Sequence, residues 1–307
     1  MRRPDVAPRA PLVSAVVADR RRLPKLVKPA GPYRRAWWRF KRDRVGMGAL
    51  ALFGLLLFVS YAVPLAIAID PFKQSLRDSL LPPGTDGHVF GTDGFGRDVL
   101  LRLVDGGRVS LTVGLVAVAI SLGVGGLIGL SAGYFGGWTD RILMRIIDVK
   151  LAFPGILLAL VIVTVLGSGL DKVMIAVGIG GIPRFARVVR GSVLNTKGDL
   201  FVEAARSIGA SDRRIMFIHL VPQVLGPVIT IGTFGLATAI LSFLGAGLPP
   251  DIPTWGNIMA EGRVQFVAYP HNVFFPGVFL AVTVLAVNIL GDAARDALDP
   301  RISSAAD

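Results

Sequence analysis

The sequence predicts an all-α polytopic membrane protein with six transmembrane helices and both termini on the cytoplasmic side. Three observations predict it. Apolar residues make up 52% of the 307-residue chain, and the mean hydropathy is +0.62. Charged residues are only 18%, against about 25% in soluble domains. The deficit is concentrated in uncharged blocks, each long enough to cross much of a ~30 Å hydrocarbon layer as helix. There is no cysteine, which excludes disulfides and thiolate metal sites. His88, His219 and His271 lie far apart, in no ligand-like spacing.

The N-terminal tail, 1–44, holds 14 Lys/Arg against Asp5, Asp19 and Asp43, and so supplies +11 of the net charge of +12. A basic tail that leads straight into an apolar span is a flank for anionic headgroups rather than a nucleic-acid arm. Its first 32 residues are rich in proline and arginine and are expected to be disordered. RRAWWRFKRDR (34–44) sets Trp37, Trp38 and Phe40 among cations, which suits a helix at headgroup level.

The first span is 45–69. An extracytoplasmic segment, 70–106, follows. Glycines 91, 94 and 96 mark turns there, and 98–103 is expected to be a short amphipathic helix on the membrane surface. The second span, 109–133, carries Ser121, Gly125, Gly129 and Gly133 every fourth position. That stripe lets another helix backbone approach closely. The third span, 146–166, opens near Asp148 and Lys150, which lie within about two turns of its end and are expected to reach the headgroups. The fourth, 173–189, has an apolar part of only ~16 Å before Pro183, so the helix must continue past that proline. Arg184, Arg187 and Arg190 then follow at every third position. The fifth span is 221–248 and the sixth 273–290, with Asn288 deep in it. In the outer segment 249–272, prolines 249, 250 and 253 stiffen the entry, and Trp255 is placed at the interface.

Orientation follows from the cations. With the N-terminus inside, the cytoplasmic segments hold 25 Lys/Arg and the outer ones 7. The positive-inside rule therefore gives N-in, C-in. The loop 191–220 and the tail 293–307 face the cytoplasm.

No catalytic constellation appears. There is no G-x-x-x-x-G-K-[ST] and no H-E-x-x-H. The glycines of VGIGGIP (177–183) lie inside a span, where they serve packing. One cytoplasmic stretch is too organised for a connector: FVEAARSIGASDRRIMFIHLVP (201–222). Glu203 and Arg206 stand at i, i+3, with Phe201, Ala204, Ala205 and Ile208 expected on an apolar side. Gly209 takes the left-handed position that ends the helix. Ser211 is expected to cap the next helix, with Asp212 in its first turn.

These residues resemble the EAA signature of ABC importer permeases: Glu203, Ala204, Ala205, Gly209 and Pro222 match, with His219 and Val221 where the general pattern has Ile and Leu. FGTDGFGRDVLLRLVDGGRVSL (90–111), SFLGAGLPPDIPTWGNIMAEGR (242–263) and NILGDAARDALDPR (288–301) resemble three further segments of the dipeptide, oligopeptide and nickel permeases. WWRFKRDRVGMGAL (37–50) is similar to the start of the C-type subunit. LATAILSFLG (236–245) departs from the pattern, running straight through where the family has a few more residues.

The resemblance implies a type I ABC importer permease fold, with a permease core over 107–292. It implies a heterodimer with a homologous permease, two cytoplasmic ATPase subunits and an extracytoplasmic peptide-binding protein. ATP and Mg would be bound by the ATPase partners, with no cofactor, metal or catalytic residue in this chain. It places ATPase coupling on Glu203, Ala204, Ala205, Arg206, Ile208, Gly209, Ala210, Ser211 and Pro222. The implied cargo is a peptide, with nickel or another small solute as the alternative. An ATP-independent channel or membrane enzyme leaves the cytoplasmic helix–turn–helix knob without a purpose.

Overall fold

A computed structural model describes residues 32–66, 70–167, 169–241 and 252–298. The proline-rich tail to residue 31, the last residues of the expected first span, the SFLG of the departure and the final DPR lie outside the described residues. Among the described residues the regular elements are all helices, and 70–98 is a turn-rich segment with two isolated β-bridges. Helix α1 (Pro32–Arg42) leads into α2 (Arg44–Ala66). Asp43 stands between them, and its carboxylate accepts the Val45 amide at 3.0 Å. Trp37 and Trp38 of α1 are exposed, whereas Phe40 is buried against Ala293 and Ala297. The basic helix thus keeps two indoles free for a headgroup layer.

Helix α3 (Val99–Phe135) has 37 residues, or ~56 Å at 1.5 Å per residue. The short surface helix expected at 98–103 is therefore not separate: it is the first turns of the second span. Asp98 starts it, its side chain accepting from the Leu101 amide, which satisfies one of the free donors of a helix start. Gly136 and Gly137, both at positive φ, turn the chain into α4 (Gly137–Leu151).

The expected third span is broken. Pro154 ends the passage from α4, and α5 (Gly155–Leu166) starts afresh after it. Proline has no N–H to give and its ring collides with the preceding turn. Hydropathy over 146–166 is blind to that interruption. Helix α6 (Leu170–Thr196) does continue through Pro183, as the length of its apolar part requires.

Helices α3 and α6 form the most extensive contact in the molecule, and the small-residue stripe lies in it. A Cβ on Gly125 would sit 2.5 Å from the Ile182 carbonyl oxygen, and one on Gly129 would collide with that of Ala186. The Ser121 hydroxyl donates across the same seam to the Gly178 carbonyl at 2.6 Å. This is backbone-to-backbone packing, the arrangement that small residues permit in lipid.

Helix α7 (Leu200–Ser207) precedes α8 (Asp212–Arg214), a π-helical stretch (Ile215–Leu220) and α9 (Val221–Leu241). The last three run on without a break. Helix α10 (Trp255–Gly262) and α11 (His271–Leu298) complete the chain. Helix α9 packs on α3, α6 and α11, while α11 also rests on α2 and α10. Among the described residues, four helical stretches are long and apolar enough to cross a membrane: α2, α3, Asp212–Ile240 and α11. Helix α5, at 12 residues, reaches only ~18 Å.

Candidate functional site

The 200–222 stretch, expected to face the cytoplasm, is a helical hairpin with one bolted face and one free face. Its turn is a Schellman motif. Gly209 has φ +79. Its amide donates to the Arg206 carbonyl at 3.0 Å, and the Ala210 amide reaches back to Ala205 at 3.0 Å. Those are the two bonds that close this motif. Nothing lies within 4 Å of a Cβ built on Gly209, so the backbone conformation, not space, demands glycine. Ser211 occupies the cap position as expected, but its side chain makes no capping hydrogen bond. Asp212 instead accepts from the Tyr134 hydroxyl of α3 at 2.6 Å.

The expected apolar side is divided between two faces. Val202 and Ala205 are buried, with Ala210 partly so, over a cluster of Leu130, Tyr134, Val189, Val193, Ile215, Met216, Leu220 and Val224. Phe201, Ala204 and Ile208 are exposed, Ile208 at 86% and Leu200 at 83%. Alternate apolar residues on a short helix fit two faces, and the spans below choose the one that carries Val202. Glu203, Arg206, Ser211 and Pro222 are exposed as well. Lys197 adds a further tie, donating to the Gly133 carbonyl at 2.9 Å. The knob is thus packed onto the ends of α3, α6 and α9 together.

Sequence reasoning did not find the π-helical stretch. Its closing bond runs from the Val221 amide to the Met216 carbonyl, five residues back. Pro222 follows at once, and its missing N–H and its ring disfavour a regular α turn there. Such widened turns occur often at functional sites, and Pro222 was the one signal for it.

Beside the knob, Arg190 of α6 donates from Nε and Nη2 to Asp140 of α4 at 2.5 and 2.6 Å. These hydrogen bonds hold the Asp140 carboxyl below its ordinary range. Arg187 pairs with Asp148 at 2.7 Å. Lys150 does not reach outward as expected. Its Nζ donates to the Gly180 carbonyl in α6 at 2.5 Å. Asn288 is partly buried, and no hydrogen bond to it is present among the described residues.

At the opposite end of the molecule, the 90–111 segment builds a buried charge network. Asp93 accepts from the amides of Phe95 and Arg97 and from the side chains of Arg97 and Arg102. Both arginines also reach Glu261 of α10. Gly96, at φ +70, passes so close to the Ser75 carbonyl that no side chain fits. Trp255 is not at an interface. It is fully buried, its indole N–H donating to the Leu103 carbonyl at 2.9 Å. Pro253 and Thr254 pack beside Gly106, and Gly107 makes room for the ring. Interfacial placement follows from an amphipathic ring; burial follows here because the indole N–H finds a protein acceptor.

A bundle of long apolar helices joined to a packed helical hairpin is the architecture of a membrane component. Residues 125–304 match the family described as binding-protein-dependent transport system inner membrane component. Residues 31–83 match the N-terminal TM domain of oligopeptide transport permease C. Two glutathione transport system permease proteins, GsiD, are close in sequence. The Escherichia coli protein is 46% identical over 286 residues, covering 90% of this chain and 94% of the relative. That of Pectobacterium atrosepticum is 41% identical over 278 residues, covering 89% and 92%. An inward-facing structure of the MetNI methionine ABC transporter shares the fold, with TM-score 0.56 and 21% identity over 66% of this chain and 98% of that one. The chain belongs to the binding-protein-dependent inner membrane permease family, and within it to the peptide-type ABC importer permeases of bacterial membranes.

Proposed function

We propose that this chain is the C-type permease subunit of an ATP-driven importer that carries short peptides into the cytoplasm. It works as a heterodimer with a homologous permease, two ATPase subunits and an extracytoplasmic peptide-binding protein. The spans number six, counting α4–α5 and α6, with both termini inside. The kinship with glutathione permeases supports a peptide cargo, because glutathione is a tripeptide.

The observation that carries the mechanism is the two-faced knob. Its inner face is bolted to three spans, while Leu200 and Ile208 stand out in solvent beside Glu203 and Arg206. Exposed apolar residues rimmed by charge mark a docking surface. In this proposal the knob sits in a groove of one ATPase subunit. ATP and Mg bind there, not here. Closure of the ATPase dimer pushes the knob as a rigid body, and the ends of α3, α6 and α9 move with it. The two permeases then alternate between inward and outward access, a two-state equilibrium biased from a distance.

Co-purification from the native membrane tests this. Two ATPase chains, a second permease and a peptide-loaded receptor are expected in the complex. A receptor loaded with a metal complex would replace the peptide reading by nickel or small-solute transport. Ion current or turnover by the isolated chain would overturn the importer.

A further inference from the structure

Lys150 of α4 and Arg184 of α6 are answered by no carboxylate among the described residues. Gly180, which accepts from Lys150, lies near the middle of α6, ten residues before Arg190, which is ~15 Å further from the Arg190–Asp140 pair along the helix. Arg184 is one turn beyond Gly180 on the same face of α6, and its guanidinium lies over the Phe234 ring of α9 at 4.7 Å. Arg187 continues the same side and is already paired with Asp148. Among the described residues no ion pair involves Lys150 or Arg184.

Placing an ammonium this deep is costly, and such residues mark substrate paths. The chain does little to offset the charge. One carbonyl takes one of the three donors of Lys150. The surroundings are open: no atom lies within 4 Å of a Cβ built on Gly180 or on Gly155, which begins the helix after the Pro154 break. Interrupted helices at membrane depth occur where backbone borders protein or a water-filled path. Phe153, in the break itself, is 59% exposed. Cation, broken helix and bare glycine therefore meet at one place on α4, α5 and α6.

We infer that Lys150 and Arg184 bind the carboxylate of the passing substrate, Lys150 at mid-span and Arg184 one turn nearer the cytoplasm. This rests on the peptide reading above and adds to it a selectivity for anionic peptides within the permease itself. An ammonium with two spare donors and a guanidinium held by a ring form stepwise charge-assisted bonds to one carboxylate. Neither has a resident anion to displace, so the substrate is not competing with the protein's own groups.

The test uses the complete transporter in proteoliposomes, with saturated receptor, and compares one tripeptide as free acid and as C-terminal amide. Lys150→Met is expected to slow the acid about tenfold more than the amide, the loss of a charged hydrogen bond. Lys150→Arg should restore preference for the acid, and Arg184→Gln should weaken it. Normal assembly of the complex and receptor-stimulated ATPase activity serve as the check that the variant is folded. Equal slowing of acid and amide, or no effect on either, would overturn the role of Lys150 while leaving peptide transport intact. A wild-type transporter that moves neither form would overturn the peptide reading and this inference with it.

Discussion

Arg102 and Glu261, 159 residues apart, are joined side chain to side chain at 2.8 and 3.2 Å. Arg102 is 1% exposed and also holds Asp93. The first turn of α3 is thereby fixed to α10, so two segments distant in sequence are tied into one platform. Breaking a buried pair leaves a charge unanswered, at a cost of about 3–5 kcal/mol. Arg102→Met is expected to lower the thermal stability of the detergent-purified protein sharply. The double variant Arg102→Met/Glu261→Leu should lose less than the two single losses summed. Additive losses would show that the pair is not coupled.

Gly209→Val should impair coupling. A residue with Cβ pays ~1–2 kcal/mol in the left-handed region, and valine's branching makes it worse. Membrane insertion is expected to be normal, with transport and substrate-stimulated ATPase activity of the assembled importer both reduced. Gly209→Asn, which tolerates this conformation better, should retain more activity. Normal uptake by a correctly inserted Gly209→Val protein would remove the knob from the mechanism.

The α3–α6 seam predicts a contrast between two glycines of one helix. Gly129→Ala drives a methyl into the Ala186 carbonyl, whereas nothing lies within 4 Å of a Cβ on Gly123. Overpacking of this kind costs ~1–3 kcal/mol. Gly129→Ala is expected to reduce the melting temperature of the purified chain and Gly123→Ala to leave it unchanged. Equal melting temperatures would mean that the helices are not held backbone to backbone.

Acid should loosen the Asp140–Arg190 clamp. Because its hydrogen bonds to Arg190 depress the Asp140 pKa, the contribution is complete above the ordinary carboxylate range and is lost as pH falls through the lowered value. Asp140→Asn should be slightly less stable than wild type at pH 7, and the difference should vanish in strong acid. A gap of constant size from pH 7 to pH 3 would exclude the ion pair as its source.

Topology makes the last prediction. A reporter fused after Asp307 is expected to read as cytoplasmic, and one inserted near Asp86, in the outer segment, as extracytoplasmic. The reverse pattern would invert the proposed orientation.

The legible parts of this fold were those decided by backbone rules. Gly209 at positive φ and the close seam at Gly125 and Gly129 follow from residues that only glycine can replace. Pro183 inside a continuing helix follows from length. The parts that were not legible depend on tertiary choices. Pro154 was read through because apolar residues on both sides outweigh one proline in any hydropathy window. Phe201, Ala204, Ala205 and Ile208 were placed on one apolar side, since nothing in eight residues tells which of its apolar residues the spans will cover. Trp255 was placed at an interface because its acceptor, the Leu103 carbonyl, lies 152 residues away. Lys150 was sent to the headgroups because the Gly180 carbonyl that holds it belongs to another helix.

The widened turn at Ile215–Leu220 has a consequence for how the knob and its span are phased. An extra residue in one turn of helix rotates everything before it by about 100° against everything after. Asp212 meets Tyr134 with that offset in place. Deleting one residue from the turn would leave both halves intact as helices and turn the hairpin to the wrong azimuth, like a key cut correctly and inserted sideways. The permease's timing thus depends on a count of residues as much as on their chemistry.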